Sequence, residues 1–391
     1  MDFKLSEDQV AMRDAVCRMA ERDLRPLLAR GDARTPMTKA TYCEALQILA
    51  RVGLTAPRLS TENGGGGLSM LDYGIVFEQI PIRFALNLLA HEVCITRISL
   101  ECSVAQKARL LPDLVAGRKV GCTGSTEPDT GSDPRGVRTK LTEVDGVLRL
   151  TGRKIWITNA SVCDVMIVTC IDARRGADRG VIKVVVDRDR TPFETREIEA
   201  IGLTQGYLGE ANFDGSVVDH NDLIESDASG TEVLKQTWSV NRPLIGLQAV
   251  QIAQTAFGMA LEYAKLRKTF GKVIAGHQLI QKSLSDMATS IEASRLLCYR
   301  ALAMADSNLP TDGAAAMAKR FAQNSCERVV SEAMNIFGAL GLSSEAGLEE
   351  LYRDVRMLSI PDGTNELLAL IHGRELTGIG AFRDAQPASD A

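Results

Sequence analysis

Residues 124–133 read GSTEPDTGSD and mark the point at which the pattern of the chain changes from helical to extended. Before this segment, from about residue 6 to residue 118, apolar residues recur at spacings of three and four, as on one face of a helix. From about residue 121 to residue 222, β-branched residues accumulate with a period near two, which predicts strands. From about residue 230 to residue 380 the helical spacing returns. The sequence therefore predicts helices, then a small β domain, then helices.

This order predicts an α+β fold with segregated helices and strands, and not alternating βαβ units. We place an N-terminal α-helical domain at residues 1–120, a middle β domain at 121–228 and a C-terminal α-helical bundle at 229–391. The sequence has no G-x-G-x-x-G after a predicted strand, which disfavours a Rossmann dinucleotide fold. Residues 243–266, PLIGLQAVQIAQTAFGMALEYAKL, are apolar on nearly all sides, which is typical of a helix buried in a bundle or an oligomer interface.

Composition excludes several classes of protein. The 391 residues are 45% apolar and 24% charged, with a net charge of −5 and no polybasic cluster, so we expect no nucleic-acid or membrane partner. The nine cysteines are irregularly spaced without a C-x-x-C pair, which disfavours a disulfide framework or a zinc site and favours a reducing cytoplasm. None of the four histidines stands at metal-ligand spacing, so we expect no metal. The sequence shows neither a signal peptide nor a membrane-spanning run.

Two segments carry candidate chemistry. The loop at 124–133 can offer backbone N–H groups and hydroxyls to a polar heterocycle and a pyrophosphate. In KIWITNA, residues 154–160, Trp156 and Thr158 fall on one face of a strand, and an indole beside a hydroxyl suits a planar ring. Taken alone, the two segments also fit a capped surface turn and a strand with a core tryptophan. Their occurrence together makes the ligand-binding interpretation specific.

TEPDTGSD followed by KIWITN resembles the flavin-binding signature of the acyl-CoA dehydrogenase family. Further segments similar to those of the family follow in its order: LRKTFGK at 266–272, HQ at 277–278, NIFGALG at 335–341 and IPDGTNELLALIHGRE at 360–375. The resemblance covers roughly residues 3 to 380. It implies a helical domain, a middle β-barrel and a C-terminal four-helix bundle, usually in a tetramer built from dimers.

The resemblance also implies that the cofactor is FAD. The residues that match the family's FAD-binding positions are Thr126, Ser132, Trp156, Thr158, Arg267, Phe270, Asn335, Gly338, Thr364 and Glu366. In the family, the positions of Arg267, Phe270, Asn335 and Gly338 reach the FAD of a neighbouring subunit, which implies a homodimer or homotetramer. Asn335 stands where the family more often has Gln.

The activity implied is α,β-dehydrogenation of an acyl thioester. A carboxylate removes the α-proton while flavin N5 accepts the β-hydrogen as hydride. The base in most family members is Glu in an E-G-T motif, whereas this chain has Asp362 before Gly363 and Thr364. Aspartate is shorter by one methylene, about 1.5 Å of reach.

Three interpretations of Asp362 remain open. It is the base for an unusual acyl group, for example a branched or cyclic one that lies closer to it. It serves in a member whose flavin does oxidase or oxygenase chemistry. Or it caps the turn while another residue acts as base. Some relatives place a Glu base before an arginine of the bundle, but Asn241 occupies that place before Arg242.

Candidate substrate-binding residues are His91, Glu92 and Arg242. His91 and Glu92 fall in a helical stretch expected near the end of the acyl pocket. They form either a solvated helix face or a pocket for a polar acyl group.

The leading function is an acyl-CoA dehydrogenase that passes electrons to an electron-transfer flavoprotein. One alternative on the same fold is a flavin-dependent oxidase or monooxygenase, but the family's nitroalkane oxidases carry an arginine seven residues after the Asp, where this chain has Ala369. A dehydrogenase of secondary metabolism that acts on an acyl-carrier-protein thioester is a second alternative. A third is a binding protein that retains flavin without turnover, which the carboxylate at Asp362 disfavours.

Overall fold

The computed structural model describes residues 4–133, 136–178, 180–224 and 230–381. By its internal contacts the chain divides into two compact units, Met1–Thr237 and Trp238–Ala391. The first unit combines the N-terminal helices with the sheet, and the second is helical.

The first unit begins with helices. They are α1 (Glu7–Met19), continued by a π-helical turn at Ala20–Leu24, then α2 (Arg25–Leu28), α3 (Lys39–Ala50), α4 (Met70–Phe77), α5 (Ile82–Glu101) and α6 (Val104–Val115). Ser6 and Ser103 start α1 and α6 with capping boxes, in which each serine and a glutamine three residues later satisfy each other's free backbone N–H groups.

Eight strands follow in one sheet. They are β1 (Gly121–Gly124), β2 (Lys140–Val144), β3 (Val147–Thr158), β4 (Val165–Asp172), β5 (Val181–Asp187), β6 (Glu194–Glu197), β7 (Leu208–Val218) and β8 (Leu223–Ile224). Their order is β6-β7-β3-β2-β4-β5-β8, and β1 pairs in parallel with β4. The expected barrel thus takes the form of an eight-stranded sheet, in which β3 and β4 hold central positions.

The helices and the sheet of this unit share a core. Cys94, Ile95 and Ile98 of α5, with Leu110 and Leu114 of α6, cluster with apolar side chains of the sheet, namely Val165, Ile167, Val185 and Ile224. This burial removes one face of the sheet from water, which is the main stabilising term for such a packing. The nine cysteines of the chain are free thiols, and seven are buried.

The second unit consists mainly of long helices. The elements of this part of the chain are α7 (Gly230–Leu266), the short strands β9 (Lys268–Thr269) and β10 (Lys272–Val273), α8 (Gln278–Asp306), α9 (Asp312–Phe337), α10 (Leu348–Met357) and α11 (Asn365–Thr377). A Cβ on Gly246 would lie 2.6 Å from the Cys298 sulfur and 3.6 Å from the Cα of Lys319, so this glycine lets α7 pack closely on α8 and α9.

The apolar pattern of α7 reflects burial of the helix, as predicted. Residues 237–266 are long and apolar enough to cross a membrane by composition alone, yet 61% of the most apolar window is buried in the structure. That burial is typical of a core helix of a soluble protein. The predicted order of helices, sheet and helices is confirmed.

Candidate active site

The segment at 124–133 is bonded to β3. The backbone N–H of Ile155 donates to the Thr126 carbonyl over 3.1 Å, and Glu127 and Thr130 form an isolated antiparallel bridge. Thr126 is half-buried and Ser132 is exposed. The loop therefore presents its hydroxyl-bearing residues beside the strand that carries Trp156.

A buried ion pair fixes this loop. The Lys154 ammonium donates to Glu127 Oε1 over 2.7 Å and to the Ser125 carbonyl over 3.2 Å, with Lys154 fully buried. Glu127 also accepts the backbone N–H groups of Arg138 (2.7 Å) and Thr139 (2.9 Å). Burial raises the pKa of Glu127, but Lys154 and these N–H donors offset it, so the pKa lies below its usual value. Glu127 belongs to the loop GSTEPDTGSD, and its ion pair with Lys154 of β3 was not predicted.

Trp156 lies at an irregularity in β3. The register between β3 and β7 shifts between Lys154 and Ile157, and Trp156 itself has a φ of 60°. Such a bulge redirects a side chain, and the indole of Trp156 is 56% exposed while Ile157 beside it is buried. Thr158, two residues on, is half-buried. The bulge thus leaves the Trp156 indole exposed two residues before the Thr158 hydroxyl.

The second unit carries another aromatic residue in an exposed position. Phe270 and Gly271 both have positive φ, 49° and 80°, and form the two-residue turn that joins β9 to β10. The Phe270 ring is 97% exposed at the tip of this hairpin, and Arg267 at its base is exposed as well. A ring exposed to this extent is free to contact a ligand or another chain.

Asn335 and Gly338 lie at the end of α9. The ring of Phe337 stacks on Tyr263 near the end of α7, with centroids 4.2 Å apart, so this end of α9 lies near the hairpin. Gly338 ends the helix with a φ of 62°, and a Cβ there would meet nothing within 4 Å. The Asn335 amide donates to Glu332 over 3.1 Å and is exposed.

Asp362 lies in the turn between α10 and α11. It has a φ of 52°, in the left-handed region that Asp and Asn tolerate better than other non-glycine residues. Thr364 follows as the N-cap of α11 and accepts the Leu367 N–H over 3.3 Å. Glu366 is exposed in the first turn of that helix. The carboxylate of Asp362 is thus presented on a short, tightly bent segment.

Two buried cations hold this turn by its carbonyls. Lys319 of α9 donates to the carbonyls of Pro361 (2.5 Å) and Gly363 (2.7 Å), and Arg242 Nε of α7 donates to that of Asp362 (3.1 Å). Arg242, a candidate substrate-binding residue by sequence, thus bonds the backbone of the turn, and the contact of Lys319 with the turn was not predicted. A lysine within the alanine-rich run GAAAMAKRFA, on the apolar face of α9, is the signal that could have indicated it.

The solvated-face interpretation of His91 and Glu92 is wrong, because both side chains are completely buried. Nδ1 of His91 accepts the Gly121 N–H over 3.0 Å, so Nε2 carries the proton and donates to the Leu114 carbonyl over 3.0 Å. Burial lowers the pKa of His91 to about 4, which keeps the ring neutral. The ring therefore ties α5 to α6 and β1, and neither nitrogen is left for a substrate. Glu92 bonds Arg58 over 2.6 Å.

The residues expected to bind FAD suit that cofactor. An isoalloxazine ring needs an aromatic or apolar surface and hydrogen-bonding groups at its edge. The exposed indole of Trp156 stands two residues before Thr158, and the neighbouring Ile155 is bonded to the backbone of Thr126. A phosphate needs hydrogen-bond donors or cationic groups. In the first unit Ser132 is exposed, and in the second unit, considered separately, Arg267 is exposed. The open backbone at Gly338 permits close approach of a ligand.

Comparison with known proteins identifies the family. Three acyl-CoA dehydrogenase domain models match: the N-terminal domain at residues 6–118, the middle domain at 122–216 and the C-terminal domain at 228–377. The chain is 31% identical to benzylmalonyl-CoA dehydrogenase of Aromatoleum aromaticum over 390 residues, covering 96% of this chain and 100% of that protein.

Solved structures agree in fold. Butyryl-CoA dehydrogenase from Megasphaera elsdenii superimposes with a TM-score of 0.88 at 30% identity, covering 96% of this chain and 100% of that one. A glutaryl-coenzyme A dehydrogenase in complex with glutaryl-CoA gives a TM-score of 0.89 at 27% identity and 97% coverage of both chains. The chain belongs to the acyl-CoA dehydrogenase family and is an FAD-dependent oxidoreductase.

Proposed function

We propose that this enzyme oxidises the Cα–Cβ bond of an acyl-CoA, with Asp362 as the base that removes the α-proton. The observation that carries the proposal is the Asp362 turn. Asp362 matches the family's base position in sequence, and two buried cations bond the carbonyls of its turn. A positioned base accelerates proton transfer by about 10²–10⁴-fold. A residue that served only to cap the turn would not require its side chain to remain a carboxylate.

The proposed chemistry divides between the cofactor and the chain. Bound FAD supplies the acceptor for the β-hydrogen, which leaves as hydride. The chain supplies Asp362, whose carboxylate oxygen takes the α-proton, and the Asp362 backbone N–H, which donates to the thioester oxygen as negative charge develops there. Trp156 and Thr158 would contact the flavin ring, and the loop from Thr126 to Ser132 would hold its polar edge and phosphates.

We further propose that each FAD is shared between two chains, in a homodimer or homotetramer. Lys319, which contacts the Asp362 turn, and Asn335 lie sixteen residues apart on α9, or about 24 Å along its axis. Within one chain, the Asp362 turn and the hairpin end of α9 are therefore too far apart to contact the same flavin ring. The exposure of Phe270 supports a partner at that end.

Replacing Arg267 tests the shared site. Arg267→Ala removes a charge-assisted hydrogen bond worth about 1.5–3 kcal/mol, so FAD should bind roughly 10–100-fold more weakly. FAD content per chain after gel filtration, together with the mass of the eluting species, measures the effect. Lys268→Ala, at the adjacent exposed position of the hairpin, is the matched control and should retain FAD. A wild-type monomer with one FAD per chain would contradict the shared site.

We propose an electron-transfer flavoprotein as the electron acceptor and the cytoplasm as the location, to which the nine free thiols are suited. An oxidase or monooxygenase, or a dehydrogenase acting on an acyl-carrier-protein thioester, remains the alternative on this fold. Ala369 argues against a nitroalkane oxidase. An oxidase would consume oxygen at the rate of thioester oxidation, whereas a dehydrogenase would need the flavoprotein.

Anaerobic titration with thioesters tests the function itself. The panel includes butyryl-, glutaryl- and benzylmalonyl-CoA, the substrates that the relatives' names give, and branched, cyclic and longer linear acyl-CoAs. We expect at least one to bleach the flavin in the single-turnover spectrum and to yield the 2-enoyl product. Comparing the rate of flavin reduction by that acyl-CoA with the rate for the same acyl group on an acyl-carrier protein identifies the preferred carrier. A flavin that no member reduces indicates a binding protein without turnover.

A further inference from the structure

Lys319 occupies a position that is costly for a lysine. Its side chain is fully buried in α9, yet it ends 2.5 Å from the Pro361 carbonyl and 2.7 Å from the Gly363 carbonyl. Transfer of an ammonium out of water is strongly unfavourable unless hydrogen bonds compensate for it. The two carbonyls that compensate are those immediately before and after Asp362. Lys319 thus bonds the backbone on both sides of the proposed base, Asp362, and does not bond the Asp362 side chain.

The turn depends on such external donors. It lies between the end of α10 at Met357 and the start of α11 at Asn365, so its carbonyls belong to neither helix. Asp362 adopts a φ of 52°, a conformation that persists in non-glycine residues when surrounding contacts fix it. With Arg242 on the Asp362 carbonyl, three consecutive carbonyls are bonded by buried cationic side chains.

We propose that Lys319 is a positioning residue, whose bonds to the carbonyls flanking Asp362 set the direction in which that carboxylate faces the substrate. The inference rests on the proposed role of Asp362 as base. Aspartate has a short side chain, so the position of its carboxylate follows closely from the position of its backbone. A displacement near 1 Å costs on the order of a hundredfold in rate.

The electrostatics of the site are compatible with this role. Burial lowers the pKa of Lys319 to about 7, while the charge of Asp362 opposes the shift and that of Arg242 adds to it. An ammonium has three N–H donors and a neutral amine has two. Since two carbonyls of the turn accept from Lys319, the charged and the neutral side chain both have enough N–H donors to bond them.

The test is a double-mutant cycle. Lys319→Met keeps the length and buried volume but removes every donor. In the otherwise wild-type enzyme it should slow flavin reduction by saturating thioester about 10–100-fold while the KM changes less than about threefold. In an Asp362→Asn background the same substitution should have less than about threefold further effect, because the base it positions is already absent. Lys319→Gln, which keeps two N–H donors, should recover part of the rate.

A second readout is independent of hydride transfer. A 3-thiaacyl-CoA has sulfur at the β-position and no β-hydrogen, so exchange of its α-hydrogens in D₂O reports on the base alone. Lys319→Met should slow this exchange by the same factor as flavin reduction. Gln323→Met, a buried amide one turn along α9 without a hydrogen-bond partner among the described residues, is the control and should change neither rate more than threefold.

Two results would overturn the proposal. If Lys319→Met lowers the rate by the same factor in the wild-type and Asp362→Asn backgrounds, the lysine stabilises the structure and does not position Asp362. Wild-type rates in both Lys319→Met and Lys319→Gln mean that the turn needs no such donor. Failure of the proposed function is seen separately, as wild-type flavin reduction in the single Asp362→Asn variant. Should Lys319→Met not fold, Lys319→Gln carries the same comparison between backgrounds.

Discussion

Asp362→Asn should bind FAD and assemble like the wild-type enzyme, yet reduce its flavin with acyl-CoA about 10²–10⁴-fold more slowly. The two residues have the same shape, and both tolerate the left-handed backbone found at φ 52°. The Asp362 carbonyl that Arg242 bonds is also unchanged. The substitution therefore removes the basic oxygen and little else. Stopped-flow anaerobic reduction by the best thioester of the panel measures the rate.

The control for this variant is a check that its fold and FAD binding are unchanged. FAD content, oligomeric mass and thermal midpoint should match the wild-type enzyme within error, and the affinity for a 3-thiaacyl-CoA should be retained. Flavin reduction at the wild-type rate would falsify the assignment of Asp362 as base. It would revive the interpretation that Asp362 only caps the turn.

Asp362→Glu should lower activity as well, for a different reason. Glutamate adds a methylene to a site built for the shorter side chain, and crowding of this kind costs about 1–3 kcal/mol. It also lacks the tolerance of Asp for the left-handed region. A thermal midpoint equal to that of wild type separates crowding of the substrate from strain of the turn. A variant that matches or exceeds wild type on a linear acyl-CoA would mean that Asp362 is an imperfect substitute for the usual base.

The sequence predicted the features that depend on local pattern. The change in period around residues 124–133 placed the boundary between helices and strands, and the all-apolar surface of α7 indicated its burial. These succeed because side-chain spacing reports directly on helix and strand geometry. The family resemblance rests likewise on short contiguous motifs. Its FAD-binding assignments remain predictions for the individual residues.

Features that depend on distant partners were not predictable in the same way. The pairing of Glu127 with Lys154 spans 27 residues, and that of Lys319 with Gly363 spans 44. A charge in an apolar pattern signals a buried partner without identifying it. His91 was misjudged for the same reason, since its partners are backbone groups of α6 and β1. The helical spacing does put His91 on the face of the buried Leu88 and Ile95, but it does not identify the backbone groups that the ring bonds.

The second large effect is expected from breaking the buried ion pair between Glu127 and Lys154. Glu127→Gln should destabilise the first unit by about 3–5 kcal/mol, because it leaves the Lys154 ammonium buried without its carboxylate. For a unit of this size the thermal midpoint should fall by roughly 6–20 °C. FAD content should fall with it, since Glu127 also anchors the loop through the backbone N–H groups of Arg138 and Thr139.

The pH dependence of this loss identifies its cause. Without Glu127, the pKa of the buried Lys154 should fall further below its unfolded value, so the unfolded chain binds more protons than the folded one over the interval between the two values. Over that interval the stability of the variant relative to wild type should rise with pH, so the loss should shrink as the pH rises through it. The loss should also shrink at acid pH, because wild type itself loses the contribution of Glu127, whose pKa is lowered in the fold, as the pH falls below the ordinary pKa of glutamate. Asp129→Asn is the matched control in the same loop, because the Asp129–Arg138 pair is exposed and worth about 0–1 kcal/mol. A Glu127→Gln midpoint equal to that of Asp129→Asn at neutral pH would show that the buried pair does not hold the loop.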